Sequence, residues 1–533
     1  MKRIALIITT LVLMIGMLSA CSKPAEPAAP EVVYTNPLQD VRVRQALWYA
    51  IDWETITDTL WNGNVTPAPK SLVPEGEWQA TGLTDYSYNP EKAKELLEAA
   101  KWDTNYVLKA VYYTGNLLDS ITAIQAYWAE VGVKMEFQLL TDNLTVQLWT
   151  PPADKVNGPS EVDWDIAFAG TNALTLGEYY LRYHSTAANN STIPLDAELD
   201  RLVDVIKTAV TPEDQKSAFN DMQKYLNEKV YTLPMFYLPS WIVTSDKLDM
   251  KGNKAGNDQF SYTKNILDWT IARDDKTMYT NTGAVSALEH TATNPGLFWH
   301  QEIVFDRLIN ASPELVPTDG SLAESFTVSE DGKSIEFVIR SGVKWHDGVD
   351  FTAEDVKWTL EYYPTIPGAN ALMTGVFGDI KAITVDGNKV NVEFNNVQPT
   401  ALTIFSQWAI LPKHKLEKVD PALFSADTFW QKPIGTGPFK VTEVKLGQHT
   451  ILSRNNDYFK PGTGNIEKIY MYPSTDQGDA NFVTNALAGS IDYAFVKDAS
   501  QVQQIRALPN YTVDTVNVTF TRYAFINMFP RKK

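Results

Sequence analysis

Apolar and polar positions follow two different rhythms along this chain. In the first half, helical and strand periods alternate. The stretch "NPLQDVRVRQALWYAID" sets Val43, Ala46, Leu47, Ala50 and Ile51 on one face at helical spacing, with Asp40 as N-cap after Pro37. "NPEKAKELLEAAK" does the same: Asn89 caps, Pro90 takes the first helical position, and Ala93, Leu96, Leu97 and Ala100 share a face. Residues 117–131 carry Ile121, Ile124, Trp128 and Val131 at that spacing and close at Gly132. "VKMEFQLL" then alternates with Val133, Met135, Phe137 and Leu139, which predicts a strand. "VDWDIAFAG" predicts a buried strand, followed by the loop "TNALTLGEYY" and helices near 196–208 and 212–229. Alternation of this kind is α/β architecture.

The stretch 231–245, "YTLPMFYLPSWIVTS", breaks the rhythm with Pro234 and Pro239 and reads as a crossing between lobes. Strands dominate beyond it. "SIEFVIR" and "KVNVEFN" alternate cleanly, and "FTAEDVKWTLEYY" is a helix with Thr352 as cap and Asp355 at the capping-box position. In "PIGTGPFKV", Gly435 and Gly437 allow tight backbone geometry ahead of a strand.

The amino terminus has a pattern of its own. Lys2 and Arg3 precede the apolar run "IALIITTLVLMIGMLSA", which ends in small residues before Cys21, the one cysteine of the 533 residues. That is the form of a lipoprotein export signal over 1–21. A thiol carrying more than one acyl chain would be a stable anchor, at about 0.8 kcal/mol per buried CH₂. Residues 22–35 form a Pro/Ala tether too poor in apolar side chains to bury a core. With no second cysteine, the exported body has no disulfides and depends on packing.

A net charge of −18 argues against a nucleic-acid partner, which would need a cationic face. The 15 Trp and 24 Tyr exceed what an average core needs, so some rings are expected in a cleft. An acidic, aromatic-rich exported protein could be a glycosidase. The 64 Asp and Glu, however, single out no pair of catalytic carboxylates. Trp164-Asp165 and Trp345-His346-Asp347 both sit on elements that read as scaffold. His184, His290, His300, His346, His414 and His449 are scattered without an HExxH, so no metal is expected. "GTGPF" lacks the Lys-Ser/Thr of a phosphate loop, and there is no GxSxG. The sequence offers no catalytic constellation and calls for no cofactor.

Several segments together resemble the family 5 extracellular solute-binding proteins, the peptide- and nickel-type receptors of ABC importers. They are "SLAESFTVSEDGKSIEFVIRSGVKWHDGVDFTAEDVKWTLE", "PIGTGPFKV", "GSIDYAFV", "NPLQDVRVRQALWYAID" and "YSYNPEKAKELLEAA". The resemblance spans about 36 to 528, with Lys101 standing where the family usually has Gly after its "AKELLEAA" helix. The order of the segments departs from the family. There the LAES…WHDG…AEDV block comes early, GTGPF follows, and the RVRQAL helix comes after a strand ending in "FN". Here that strand, "TRYAFINM" (521–528), is at the carboxyl end, and its helix begins near residue 40. The chain reads as a circular permutant; a rearranged gene would read the same way.

The resemblance implies an α/β, two-lobed periplasmic-binding-protein-like clamshell of type II, with an extra inserted subdomain and a circularly permuted order. One lobe is expected over 36–235 and the second over 236–528, the insertion lying at about 310–412. It implies a monomeric, non-enzymatic receptor, lipid-anchored outside the cytoplasm on the cell membrane. Such a receptor captures a peptide or other small solute, oligosaccharides included, and delivers it to permease subunits. A secreted carbohydrate-active enzyme with an aromatic cleft is the alternative. Segments matching the family's cleft walls put Thr171, Asn172, Leu174, Phe298, Trp299, Tyr523 and Phe525 at the ligand, each aromatic being either cleft wall or core. In peptide-binding relatives the 170–176 loop offers an aspartate to the ligand's α-amine. "GTNALTL" has no acidic residue, with Leu174 aligned at that place, and this favours neutral ligands. The cut implies that residues 36 and 528 meet at the hinge, that Phe529–Lys533 and the tether hang free, and that 231–245 is the single remaining crossing.

Overall fold

The computed structural model describes residues 33–532, apart from 62–64, 69, 74–77, 114–116, 157, 173–181, 188–189, 210, 238–239, 253–264, 285–289, 294–302, 312–316, 474–480, 497 and 517–519. From the amino end, β1 (Val33–Tyr34) leads to helices α1 (Val41–Tyr49) and α2 (Trp53–Trp61), and to β2 (Thr66–Pro67). There follow α3 (Pro90–Ala99), β3 (Val107–Tyr112), α4 (Leu118–Glu130), β4 (Lys134–Leu139), α5 (Leu144–Trp149) and β5 (Ile166–Asn172). Helices α6 (Ala197–Thr208) and α7 (Pro212–Lys229) precede β6 (Thr232–Tyr237).

The expected caps are in place. Asp40 accepts the Arg42 amide at 2.9 Å and Asn89 accepts that of Lys92 at 2.9 Å. The apolar stripe of α1 is fully buried, and the Trp128 indole of α4 donates to Leu47 O at 2.8 Å, tying the two helices together. Arg44 breaks the stripe yet is also buried. Its guanidinium donates to Lys229 O, Val230 O, Leu38 O and Gln39 O, which ties α1 to the end of α7, and burial pushes its pKa down to about 10.

The chain then passes into the second lobe. Strands β7 (Ser240–Ser245), β8 (Thr277–Ala284), β13 (Phe439–Lys445), β14 (His449–Arg454), β15 (Lys468–Pro473), β16 (Tyr493–Val496) and β17 (Tyr511–Val516) form one sheet, ordered β13-β14-β15-β8-β16-β7-β17. Helices α10 (Phe482–Leu487) and α11 (Ala499–Arg506) cover one face of its β7 side. Asp492, fully buried, accepts Arg273 at 2.8 Å, Ser245 Oγ at 3.0 Å and the Tyr279 amide at 2.9 Å, clamping three strands. Within the 310–412 region, β9 (Ala323–Val328), β10 (Ser334–Ile339), β11 (Ile380–Asp386) and β12 (Lys389–Phe394) make an antiparallel sheet ordered β9-β10-β12-β11. Helices α8 (Ala353–Tyr362), with its Thr352/Asp355 capping box, and α9 (Ala401–Gln407) pack beside it. Its inward residues, Ile335, Phe337, Val390 and Val392, belong to the core that Met278 and Ile469 of the large sheet also enter.

Strand β18 (Phe520–Ile526), grouped by the sequence with residues 236–528, lies in the first lobe. The six-stranded sheet there runs β2-β6-β18-β5-β3-β4. The physical reason is that Tyr523, Ala524, Phe525 and Ile526 are all apolar and all buried, so both faces need covering, as in an interior strand. The lobes are therefore joined by two crossings, β6 to β7 and β17 to β18. The strands that flank them lie side by side, with Thr521 opposite Tyr237 in the first lobe and Val516 opposite Ser240 in the second. The expectation of a single remaining crossing is corrected. β18 runs from the crossing toward the far end of the lobe, where Ile526 pairs with Ile166. The chain ends do meet, but there and not at the hinge. Nor do the described residues there hang free: Phe529 and Arg531 are buried, and β19 (Arg531–Lys532) pairs antiparallel with β1, while tether residues 22–32 and Lys533 lie outside the described residues.

Candidate functional site

Strand β5 ends at Asn172 opposite Phe520, the start of β18, beside the crossings, and β3 ends further back, with Tyr112 level with Phe168. In open α/β sheets this is where ligands bind. Phe520 and Thr521 pair with Asn172 and Thr171, so these two residues, expected at the start of a loop, instead close strand β5 at this edge. Arg522 comes next, opposite Gly170 on one neighbour and Phe236 on the other. Its guanidinium is buried, which lowers its pKa, while the Tyr113 hydroxyl beside it acts in the opposite sense. Tyr113 Oη also lies 3.4 Å from the Gly170 amide. A buried cation and a phenol thus stand together near this strand end, and sequence reasoning passed over both. The legible signal was a charge inside the apolar strand "TRYAFINM".

Tyr523 and Phe525, which the sequence puts at the ligand as either cleft wall or core, are core. Tyr523 is 2% exposed and its hydroxyl donates to Leu72 O at 2.7 Å. Phe525 is 1% exposed and meets Trp149 edge-on, with the Arg182 guanidinium 4.7 Å from its ring centroid. Because β18 is interior, its alternate faces both point into packing. Arg182 instead pins the chain to this lobe just after residues 173–181. Leu174, Phe298, Trp299 and Cys21 lie outside the described residues.

On the second lobe, the GTGPF turn holds the segment that follows "NPGLFWHQ". The Gly437 amide donates to Val304 O at 2.9 Å. A Cβ on Gly435 would stand 1.9 Å from Val304 O, so close approach, not left-handed backbone, demands glycine here. His346 locks the turn from the other side, Gly435 N donating to Nδ1 at 3.2 Å and Nε2 donating to Gly437 O at 2.9 Å. "WHDG" and "GTGPF" are thus one scaffold. Away from the crossings, Gln215 of α7 donates to Pro399 O at 3.2 Å, a direct contact between the lobes. No group of three or more metal-ligating side chains occurs among the described residues.

Comparison with known proteins places this geometry in context. The model of the bacterial extracellular solute-binding proteins, family 5 middle region, matches residues 19–192 and 318–532, more than half of the chain. A putative ABC transporter peptide-binding protein of Brucella ovis is 27% identical over 193 residues, 36% of each chain. The oligopeptide-binding protein AppA of Bacillus subtilis is 36% identical over 146 residues, 26% of each. The chain thus spans about a third of the length of the curated relatives it matches. Among solved structures, NikZ of Campylobacter jejuni in complex with Ni(L-His) is similar over 45% of this chain and 46% of its own, at 26% identity and a TM-score of 0.38.

Proposed function

The chain belongs to the family 5 bacterial extracellular solute-binding proteins, and from that membership we propose that it is the receptor of an ABC importer, capturing a small solute between its lobes for delivery to a membrane permease. The observation that carries this reading is the pair of adjacent crossings, β6–β7 and β17–β18, between two separate cores. Two short connectors of opposite chain direction let the lobes rotate as rigid bodies, and a ligand touching both faces favours the closed state by its differential contacts. In this reading Cys21 carries the lipid anchor and the protein works outside the cytoplasm, so metabolic labelling with palmitate marks it and Cys21→Ala abolishes the label. The segment order is a circular permutation of the family's, a reading supported by the contact of Asn36 with Asn527.

The ligand reading rests on "GTNALTL", where no carboxylate meets an α-ammonium. A buried, unpaired ammonium costs several kcal/mol, which favours solutes without a free amine, N-blocked peptides and oligosaccharides among them. Calorimetry on matched di- and tripeptides with free and acetylated amino termini tests this. Equal affinities are expected; a hundredfold preference for the free amine, about 2.7 kcal/mol, would assign an acid elsewhere to that role. Cleavage of an oligosaccharide on incubation would replace the receptor reading with an enzymatic one.

A further inference from the structure

The two lobes differ in how their chain is assembled. The second is built from one continuous stretch, β7 to β17. The first draws its core from residues 38–236 and again from 523–528. Its interior strand β18 is bonded on both sides, by β5 through seven register pairs and by β6. Without β18, β5 and β6 would each present an unpaired row of backbone groups inside the lobe.

What secures β18 lies past its last ladder pair. Asn527, 0% exposed, donates to Ser160 Oγ at 2.8 Å and Trp164 O at 2.9 Å, while its own amide donates to Asp165 O at 2.8 Å. The Met528 amide donates to Thr192 O at 2.8 Å and the Ser160 amide to Pro530 O at 2.8 Å. Asn36, also 0% exposed, donates from the other end of the chain to Asn527 O at 2.6 Å and Phe529 O at 3.0 Å. Arg531 donates to Val162 O at 2.9 Å and Trp164 O at 2.7 Å. Finally, Val33 pairs with Lys532 and Tyr34 with Arg531. Three buried polar side chains thus donate to distant segments; without Asn36 the Asn527 and Phe529 carbonyls lose their side-chain donor, and without Asn527 the Phe529 amide loses its acceptor.

We propose that the two chain ends form a lock on the first lobe: that lobe reaches its folded state only when residues 527–532 dock between Asn36 and the 160–165 segment, whereas the second lobe folds without this step. The lock joins residues 491 and 493 apart in sequence, so it closes late, after local contacts have formed. The strand β18 that it holds is also the one that enters from the second lobe. The first lobe is therefore completed by a chain that has already crossed.

Hydrogen exchange read by mass spectrometry on the full-length protein tests the lock, without reference to ligand or transport. In Asn527→Ala and Asn36→Ala, peptides covering 107–112, 166–172 and 232–237 should exchange at least tenfold faster. Peptides covering 323–339 and 439–454 should stay within twofold of the parent. Exchange that rises alike in both lobes, or in neither, overturns the proposal, as does a variant in which the second lobe too is unprotected. A gain-of-stability arm uses Val33→Cys with Lys532→Cys in a Cys21→Ser background, so that the new pair holds the only thiols. Oxidation should slow exchange at least threefold in the first lobe alone; equal protection of the oxidised and reduced forms overturns the lock.

Discussion

The charge of His346 is dictated by its partners. Gly435 N–H donates to Nδ1, so the ring must be the neutral Nε2–H tautomer, and protonation would set N–H against N–H. Burial pushes its pKa down to about 4. In the unfolded chain an imidazole titrates near 6.5, so on acidification the unfolded state takes up the proton first. The stabilisation is complete above about pH 6.5 and is lost as pH falls toward 4, with a slope of up to about 1.4 kcal/mol per pH unit. Urea unfolding at pH 7 and pH 4.5 should show the parent losing roughly 2 kcal/mol more than His346→Gln, which cannot titrate. Equal losses in the two proteins would remove this role from His346.

The carboxyl end of α3 is an element finished with the wrong residue for its geometry. The Trp102 amide donates to Leu97 O and the Lys101 amide to Glu98 O, both at 2.9 Å, a pattern that needs a left-handed residue between helix and coil. Lys101 adopts it, at φ 57°. A side chain there costs about 1–2 kcal/mol, of which glycine's extra freedom in the unfolded chain offsets part. Lys101→Gly should therefore stabilise the protein by about 0.5–1 kcal/mol, raising the urea midpoint at constant m-value. This element was legible down to its last turn, because caps are local: Asn89, Pro90 and the departure at Lys101 all lie in the sequence window that forms the helix. Strand β18 was legible as a strand but not as a member of the first lobe. Its apolar run fits an interior strand of either sheet, and pairing partners hundreds of residues away decide between them.

At the scale of the molecule, keeping both crossings changes what re-ordering the chain should do. An order opened between residues 235 and 236 would cut inside β6 and sever one crossing. Opening the chain between Asp274 and Asp275, in an exposed turn, with the present ends joined by a short linker at β19 and β1, leaves both crossings whole. X-ray scattering should give the second re-ordered chain the parent's radius of gyration. The first should be expanded, since one connector no longer restrains the lobes. Identical profiles for the two would mean that the paired crossings do not set lobe orientation.

Periodicity and capping chemistry by themselves determined the helices, the strands, the α/β character of the first lobe and the glycines of the GTGPF turn, since each depends on residues a few positions apart. The candidate site was only partly legible. Thr171 and Asn172 do close β5 beside the crossings, but Tyr523 and Phe525 read equally well as cleft or core until the strand's two neighbours were known. Arg522 and Tyr113 meet only because β18 and β3 both flank β5. The tertiary structure alone decided which lobe β18 completes, that two connectors and not one span the molecule, and that its ends are locked together. These are pairings across most of the chain's length, and hydrogen-bond complementarity at such separations leaves no periodic trace in the sequence that makes it.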